Sequence, residues 1–263
     1  MTMTADVVAY PATGPAQQQV FIPQLSRRAV AAVWAAAALP MAALSWVVAP
    51  RLADGLSGPA PLAKALLVCL AVGVVWQGVL VLGLVAREQR TLRWPVVRDA
   101  LWLRAPRSPR TGRAGGRVWW VVLPFVLVFA LGDLLPSLPH DAGRDFGEVL
   151  GSPEGEAFLH GSWGWFAVIV TGFVFNTVLG EELLFRGYLL PRMNGAFGER
   201  DWVANGVLFA AYHLHVPWAI PAALIDTVAL AYPAKRYRSA WMGIAVHSVQ
   251  TVFLTLAVLM LVL

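Results

Sequence analysis

Six ionisable side chains fall inside strongly apolar stretches of this chain: Glu181, Glu182, Arg186, His213, Asp226 and His247. A single such group at the centre of a membrane-spanning helix costs about 2.5–3.5 kcal/mol on insertion scales, so this set needs a chemical reason. In Gly180-Glu181-Glu182-Leu183-Leu184-Phe185-Arg186, Glu182 and Arg186 stand one helical turn apart and can form an ion pair. Glu181 points about 100° away on a regular helix and gains no such local partner. A buried, locally unpaired carboxylate is suited to general base or acid work near neutral pH. The plainer structural alternative is that both glutamates pair with arginines such as Arg186 and Arg192. Phe209-Ala210-Ala211-Tyr212-His213 supplies one histidine, and His247-Ser248-Val249-Gln250-Thr251 sets His247 and Thr251 on one helix face. Each of these two pieces alone reads as readily as a packing histidine.

The elements that must position these groups are membrane helices. Hydrophobic residues make up 58% of the 263 positions and charged residues 13%, against roughly 25% charged in a soluble domain. Residues 29–50 and 65–86 hold no charged side chain, and 239–263 has His247 as its one ionisable group. Each block reaches the roughly 20 residues needed to cross a hydrocarbon core about 30 Å thick. The expected fold is an all-α, multi-pass transmembrane helical bundle with a polar intramembrane cavity. About seven spans are expected, near 29–49, 64–86, 118–137, 162–190, 202–215, 219–233 and 240–263. The fifth and sixth are short and interrupted by His215-Val216-Pro217, a break tolerated at membrane depth only against protein or a wet cavity. At 1.5 Å per residue, Glu181, His213 and His247 lie roughly 15, 17 and 10 Å from one end of their helices. Groups at matched depth can share one pocket, and Asp226, at a similar height, can orient one of the histidines.

Charge suggests the orientation. Arg87, Arg90, Arg93, Arg98, Arg104, Arg107, Arg110, Arg113 and Arg117 crowd one loop, whereas the loop before the fourth span carries Asp141, Asp145, Glu148, Glu154 and Glu156. Arginines beside a span mark the cytoplasmic side and have anionic lipid headgroups as neighbours. The N-terminus is therefore expected inside and the C-terminus outside a cell (inner) membrane. This placement also argues against nucleic acid as the partner, despite the basic balance of 20 Lys and Arg against 15 Asp and Glu. Three regions are expected: a flexible cytoplasmic tail at 1–28, a scaffold with the arginine-rich loop at 29–117, and the functional half at 118–263. Cys69 is the one cysteine, so no internal disulfide can form. Lys64 and Lys235 are the only lysines among the 20 basic residues, a bias that fits a GC-rich bacterial genome.

Glu181-Glu182-x-x-x-Arg186, then Phe209-x-x-x-His213, then His247 with a polar residue four positions on, resembles the CAAX protease and bacteriocin-processing family. That family includes the type II CAAX prenyl endopeptidases, and the likeness covers about residues 160–258. Thr251 stands where the family usually has asparagine. The resemblance implies a membrane-embedded endopeptidase in which Glu181 and His213 activate the hydrolytic water. His247 and the residue at Thr251 would then stabilise the oxyanion, with Asn176, Asn205 or Gln250 as substitutes for the missing asparagine. Phe209 is carried over as a supporting residue. Family members have been read both as metalloproteases and as glutamate proteases. Glu181, His213 and His247 are the ligands if a zinc-like ion takes part; with no His-Glu-x-x-His motif in the chain, the reading leans to metal-free hydrolysis. Membrane lipids and a membrane-tethered protein or peptide are the expected partners; oligomeric state is not legible. Two other functions compete. A non-catalytic binding or immunity-type protein would keep the pocket and tolerate Thr251. A proton-coupled transporter would use the buried carboxylates as a relay, although no inverted repeat is evident.

Overall fold

Helices with long lipid-compatible faces dominate the chain. The computed structural model describes residues 20–135 and 137–263, apart from the side chain of Asp133. Of the expected tail, 1–19 lies outside the described residues. Four helices are long and apolar enough to cross a membrane: α1 (Arg27–Ala53), α2 (Pro61–Gln89), α4 (Trp163–Arg192) and α6 (Ala240–Val262). Between them lie the shorter apolar helix α3 (Gly116–Ala130) and helix α5 (Asp201–Tyr212). Among the described residues there is no β-strand, only an isolated bridge between Arg107 and Ala114 in the arginine loop. The protein is an all-α, multi-pass membrane protein.

Local sequence explains the helix ends. The Ser26 hydroxyl accepts the Ala29 N–H at 3.2 Å and starts α1. Pro61 opens α2 at a position whose N–H has no helical partner, and Arg90 closes it in the left-handed conformation. Asp145 and Ser152 cap two short helices, Phe146–Leu150 and Pro153–Leu159, in the acidic loop. The outer surface is apolar: Val75, Leu127, Phe253 and Met260 are 61–73% exposed. In water such a girdle would drive association, whereas hydrocarbon solvates it.

The seven expected spans thus resolve into four helices of full crossing length and three positions with shorter segments. The 12 residues of α5 reach only about 18 Å. Beyond it, the 219–233 position breaks into a turn at Pro217–Ala219, a short helix at Ile220–Ala223 and a π-wound turn at Thr227–Ala231. Protein covers only part of their apolar surface, while Val207, Leu224 and Val228 are exposed. Phe209, Tyr212, Ala229 and Leu230 are buried in the same core as Leu184, Phe185 and Tyr188 of α4.

One end of the bundle is tied together by the arginine loop and its neighbours. Arg192, fully buried at the end of α4, makes charge-assisted hydrogen bonds to Glu88 of α2, the shortest at 2.7 Å. It also donates to the carbonyls of Ala100 and Tyr188. Lys235 pairs with the buried carboxylate of Asp201 at the start of α5. The Ala240 N–H donates to the Trp102 carbonyl and the Ser239 hydroxyl to the Arg104 carbonyl, which fixes the first turn of α6 against the loop. The opposite end carries the acidic loop, where the Gly161 N–H donates to the carbonyl of Val262.

Candidate active site

The middle of α4 is wound as a π-helix from Phe175 to Leu189, a rare geometry that concentrates at functional positions. Wider winding rotates the chain less per residue than the 100° of an α-helix, so adjacent side chains diverge less. Glu181 and Glu182 can therefore both address α6. The His247 Nε2 lies 3.7 Å from Glu181 Oε2, and its Nδ1 lies 3.2 Å from Glu182 Oε1. Glu181 is 4% exposed, Glu182 fully buried and His247 6% exposed.

Glu182 also pairs with Arg186 at 3.1 Å, with both side chains fully buried. The Arg186 guanidinium sits 4.0 Å from the centre of the Phe209 ring, a cation–π contact that stabilises a charge removed from water. Phe209 is the hub of the cluster. Its ring meets His213 edge-on at 5.0 Å, His247 at 6.4 Å and Phe185 at 5.1 Å between centroids. Glu182 is thus more than half of an ion pair: it accepts from His247 as well and orients that ring.

The close approach of α6 depends on Gly243, one turn before His247. A Cβ built there would lie 2.2 Å from Glu182 Oε2 and 3.3 Å from Arg186 Cγ. Gly206 does the same for α5, where an added Cβ would meet the Thr227 backbone at 2.4 Å. Neither glycine was singled out by sequence reasoning; the i, i+4 spacing of Gly243 and His247 is the signal that would have found the first. Gln77, a fully buried amide in the middle of α2, was also missed. It donates to the Tyr212 hydroxyl at 2.5 Å and so braces the residue next to His213.

His213 ends α5. Its Nδ1 lies 3.0 Å from the Phe209 carbonyl, and donation there leaves Nε2 as the free nitrogen. The Glu181 charge acts on both His213 and His247. Among the described residues no direct hydrogen bond joins Glu181 to His213; within the cluster the close carboxylate–imidazole contacts are those to His247. Asp226 is buried within electrostatic reach of His247, Arg186 and both glutamates, yet the carboxylate at hydrogen-bonding distance from a histidine is that of Glu182. Arg192 serves Glu88 and neither site glutamate.

Thr251 lies one turn beyond His247, and its hydroxyl is 2.8 Å from that of Thr177. One hydroxyl donates within this pair, which leaves one O–H hydrogen for another acceptor. The alternatives considered for the amide fare differently. Asn205 is fully buried and donates to the Phe185 carbonyl at 2.8 Å, so it holds α5 to α4. Gln250 faces outward, and Asn176 is half-buried. Among the described residues no three His, Cys, Asp or Glu side chains form a group placed to hold an ion.

What the arrangement can do is proton transfer to and from a small polar group, with fixed donors alongside, in a site nearly closed to the outside. Residues 158–253, which include every residue of the cluster on α4, α5 and α6, match the family of type II CAAX prenyl endopeptidases, Rce1-like. No curated protein and no solved structure matches the chain.

Proposed function

We propose that this chain, whose residues 158–253 match the Rce1-like family of type II CAAX prenyl endopeptidases, hydrolyses a peptide bond of a membrane-associated protein or peptide with a Glu181-activated water. A CAAX-type intramembrane protease is a peptide hydrolase by family; the residue roles and the substrate are our reading. The observation that carries it is the His247 ring held between Glu181 and Glu182. Glu181, the carboxylate without an arginine partner, takes a proton from water, assisted by the free nitrogen of His213. With a proton on Nε2, His247 donates to the oxygen on which negative charge develops, and Glu182 keeps the ring oriented. The Thr177–Thr251 pair offers its remaining hydroxyl to the same oxygen. Donors fixed in place before reaction act strongly in a site of low dielectric. The proton then passes to the leaving amine, which restores the Glu181 carboxylate.

No step here uses a metal, in keeping with a donor set that forms no ion-binding group. Cleavage is therefore expected to continue after chelator treatment and dialysis. A loss that added zinc restores would contradict this mechanism.

The active site is reached from the cytoplasmic half of a cell (inner) membrane in our reading, with the N-terminus inside and the C-terminus outside. The start of α1 and the arginine loop share one end of the bundle, where Arg27 donates to the Ala196 carbonyl beside Asp201 and Lys235. Val262 lies at the other end, which supports that orientation. A non-catalytic, immunity-type role is the second reading, favoured by the threonine at 251 and its engagement with Thr177. The two separate in one experiment: membrane peptides from cells producing wild type are compared with those from cells producing Glu181→Ala. Peptides that end at a common cleavage position in wild type alone support the protease. Identical peptide sets, with both proteins inserted and equally protective, support the second reading.

A further inference from the structure

A second feature lies away from the Glu–His cluster, at the arginine-loop end. Arg110, Arg113 and Arg117 of the loop and Arg236 from the segment before α6 line one cleft of about 780 Å³. All four are exposed. Among the described residues no salt bridge joins any of them to a carboxylate, and no acidic residue lines the cleft. Its walls also include Val118 and Val121, which begin the apolar helix α3. Trp120, 70% exposed, stands beside them, a residue type enriched where headgroups meet hydrocarbon. A ligand here would meet cationic forks on one side and an apolar wall on the other. The cleft is not a loose loop: the Arg107 N–H donates to the Tyr237 carbonyl and the Gly115 N–H to the Pro106 carbonyl.

We propose that this cleft binds the phosphate headgroup of an anionic phospholipid, with the upper acyl chain running along Val118 and Val121 on α3. Guanidinium groups suit phosphate because they bind two of its oxygens at once. Four arginines converging on one opening exceed what topology requires, since the flanking loop already holds Arg87, Arg90, Arg93 and Arg98. The cleft also abuts the chain that leads into α6 through Ser239 and Ala240, so an occupied cleft would steady the helix that carries His247. This binding does not depend on the protease reading.

The test is native mass spectrometry of the full chain in detergent, titrated with phosphatidylglycerol or phosphatidylcholine. Wild type is expected to retain phosphatidylglycerol preferentially. The variant Arg110→Gln/Arg113→Gln/Arg117→Gln/Arg236→Gln is expected to lose that preference, at roughly fivefold in affinity per arginine. A control, Arg28→Gln/Arg87→Gln/Arg90→Gln/Arg93→Gln, removes equal charge outside the cleft and is expected to bind as wild type does. Equal losses in the two variants would mean diffuse attraction and overturn the proposal. Inorganic phosphate that competes as strongly as the lipid would show that the acyl wall contributes nothing, and would overturn it too. Should the fourfold variant fail to fold, Arg117→Gln and Arg236→Gln singly must each weaken retention; wild-type retention in both would refute the site.

Discussion

At the scale of single residues, the distinction between the two adjacent glutamates carries most of the account. Glu182 is spoken for twice, by Arg186 at 3.1 Å and by His247 at 3.2 Å, whereas among the described residues the ion-pair contact of Glu181 is the longer 3.7 Å approach of His247 Nε2. The two should therefore fail differently. Glu182→Gln leaves Arg186 buried without its charge partner, so destabilisation of about 3–5 kcal/mol is expected, read as earlier thermal unfolding of the detergent-purified protein. Glu181→Gln is expected to change stability little and abolish cleavage. Equal stability losses in the two would contradict the division of roles. Gly243→Ala tests the same geometry from α6. Its Cβ would displace the Glu182 carboxylate from 2.2 Å, with an overpacking cost of about 1–3 kcal/mol and cleavage lost in the protein that remains folded. Wild-type cleavage in Gly243→Ala would show that the Glu182–His247 contact is dispensable.

At the scale of elements, the structure rests on helices that approach closely through small residues and are locked by buried charge. Arg192 and Glu88 join α4 to α2 near their shared end. A double-mutant cycle with Arg192→Gln and Glu88→Gln is expected to yield a coupling of about 0.5–3 kcal/mol, measured by thermal unfolding. Additive effects would remove this lock from the account. The long apolar blocks were legible because twenty uninterrupted apolar residues have few other uses. So was the candidate set Glu181, Glu182, Arg186, His213 and His247, because charge in such blocks is costly. The π winding of 175–189 was not legible, since no residue type specifies it, and neither was the second contact of Glu182, to His247, beside its pair with Arg186. The shortness of the fifth position was legible from the break at His215-Val216-Pro217, but the protein cover over Phe209 and Leu230 was not. Hydropathy reports burial in protein and burial in lipid alike, so Phe209 and Leu230 score as a span would. Arg192 illustrates a third limit: its partner Glu88 lies 104 positions away in sequence.

At the scale of the whole molecule, a cationic end with Arg110, Arg113, Arg117 and Arg236 opposes an acidic end with Glu148, Glu154 and Glu156, and an apolar girdle lies between. This polarity predicts sidedness. In a Cys69→Ser background, Glu154→Cys should react with a membrane-impermeant maleimide in intact cells. Arg113→Cys should react only after permeabilisation. The reverse pattern would invert the orientation and move the Glu–His cluster to the other leaflet. The central claim, that Glu181 activates the water, is tested most directly by the cleavage rate of a substrate found through the membrane-peptide comparison. Purified wild type and Glu181→Ala are to be assayed side by side, each shown to be folded. A fall of about 10²–10⁴-fold in Glu181→Ala is expected of a lost general base; cleavage at the wild-type rate would contradict the account.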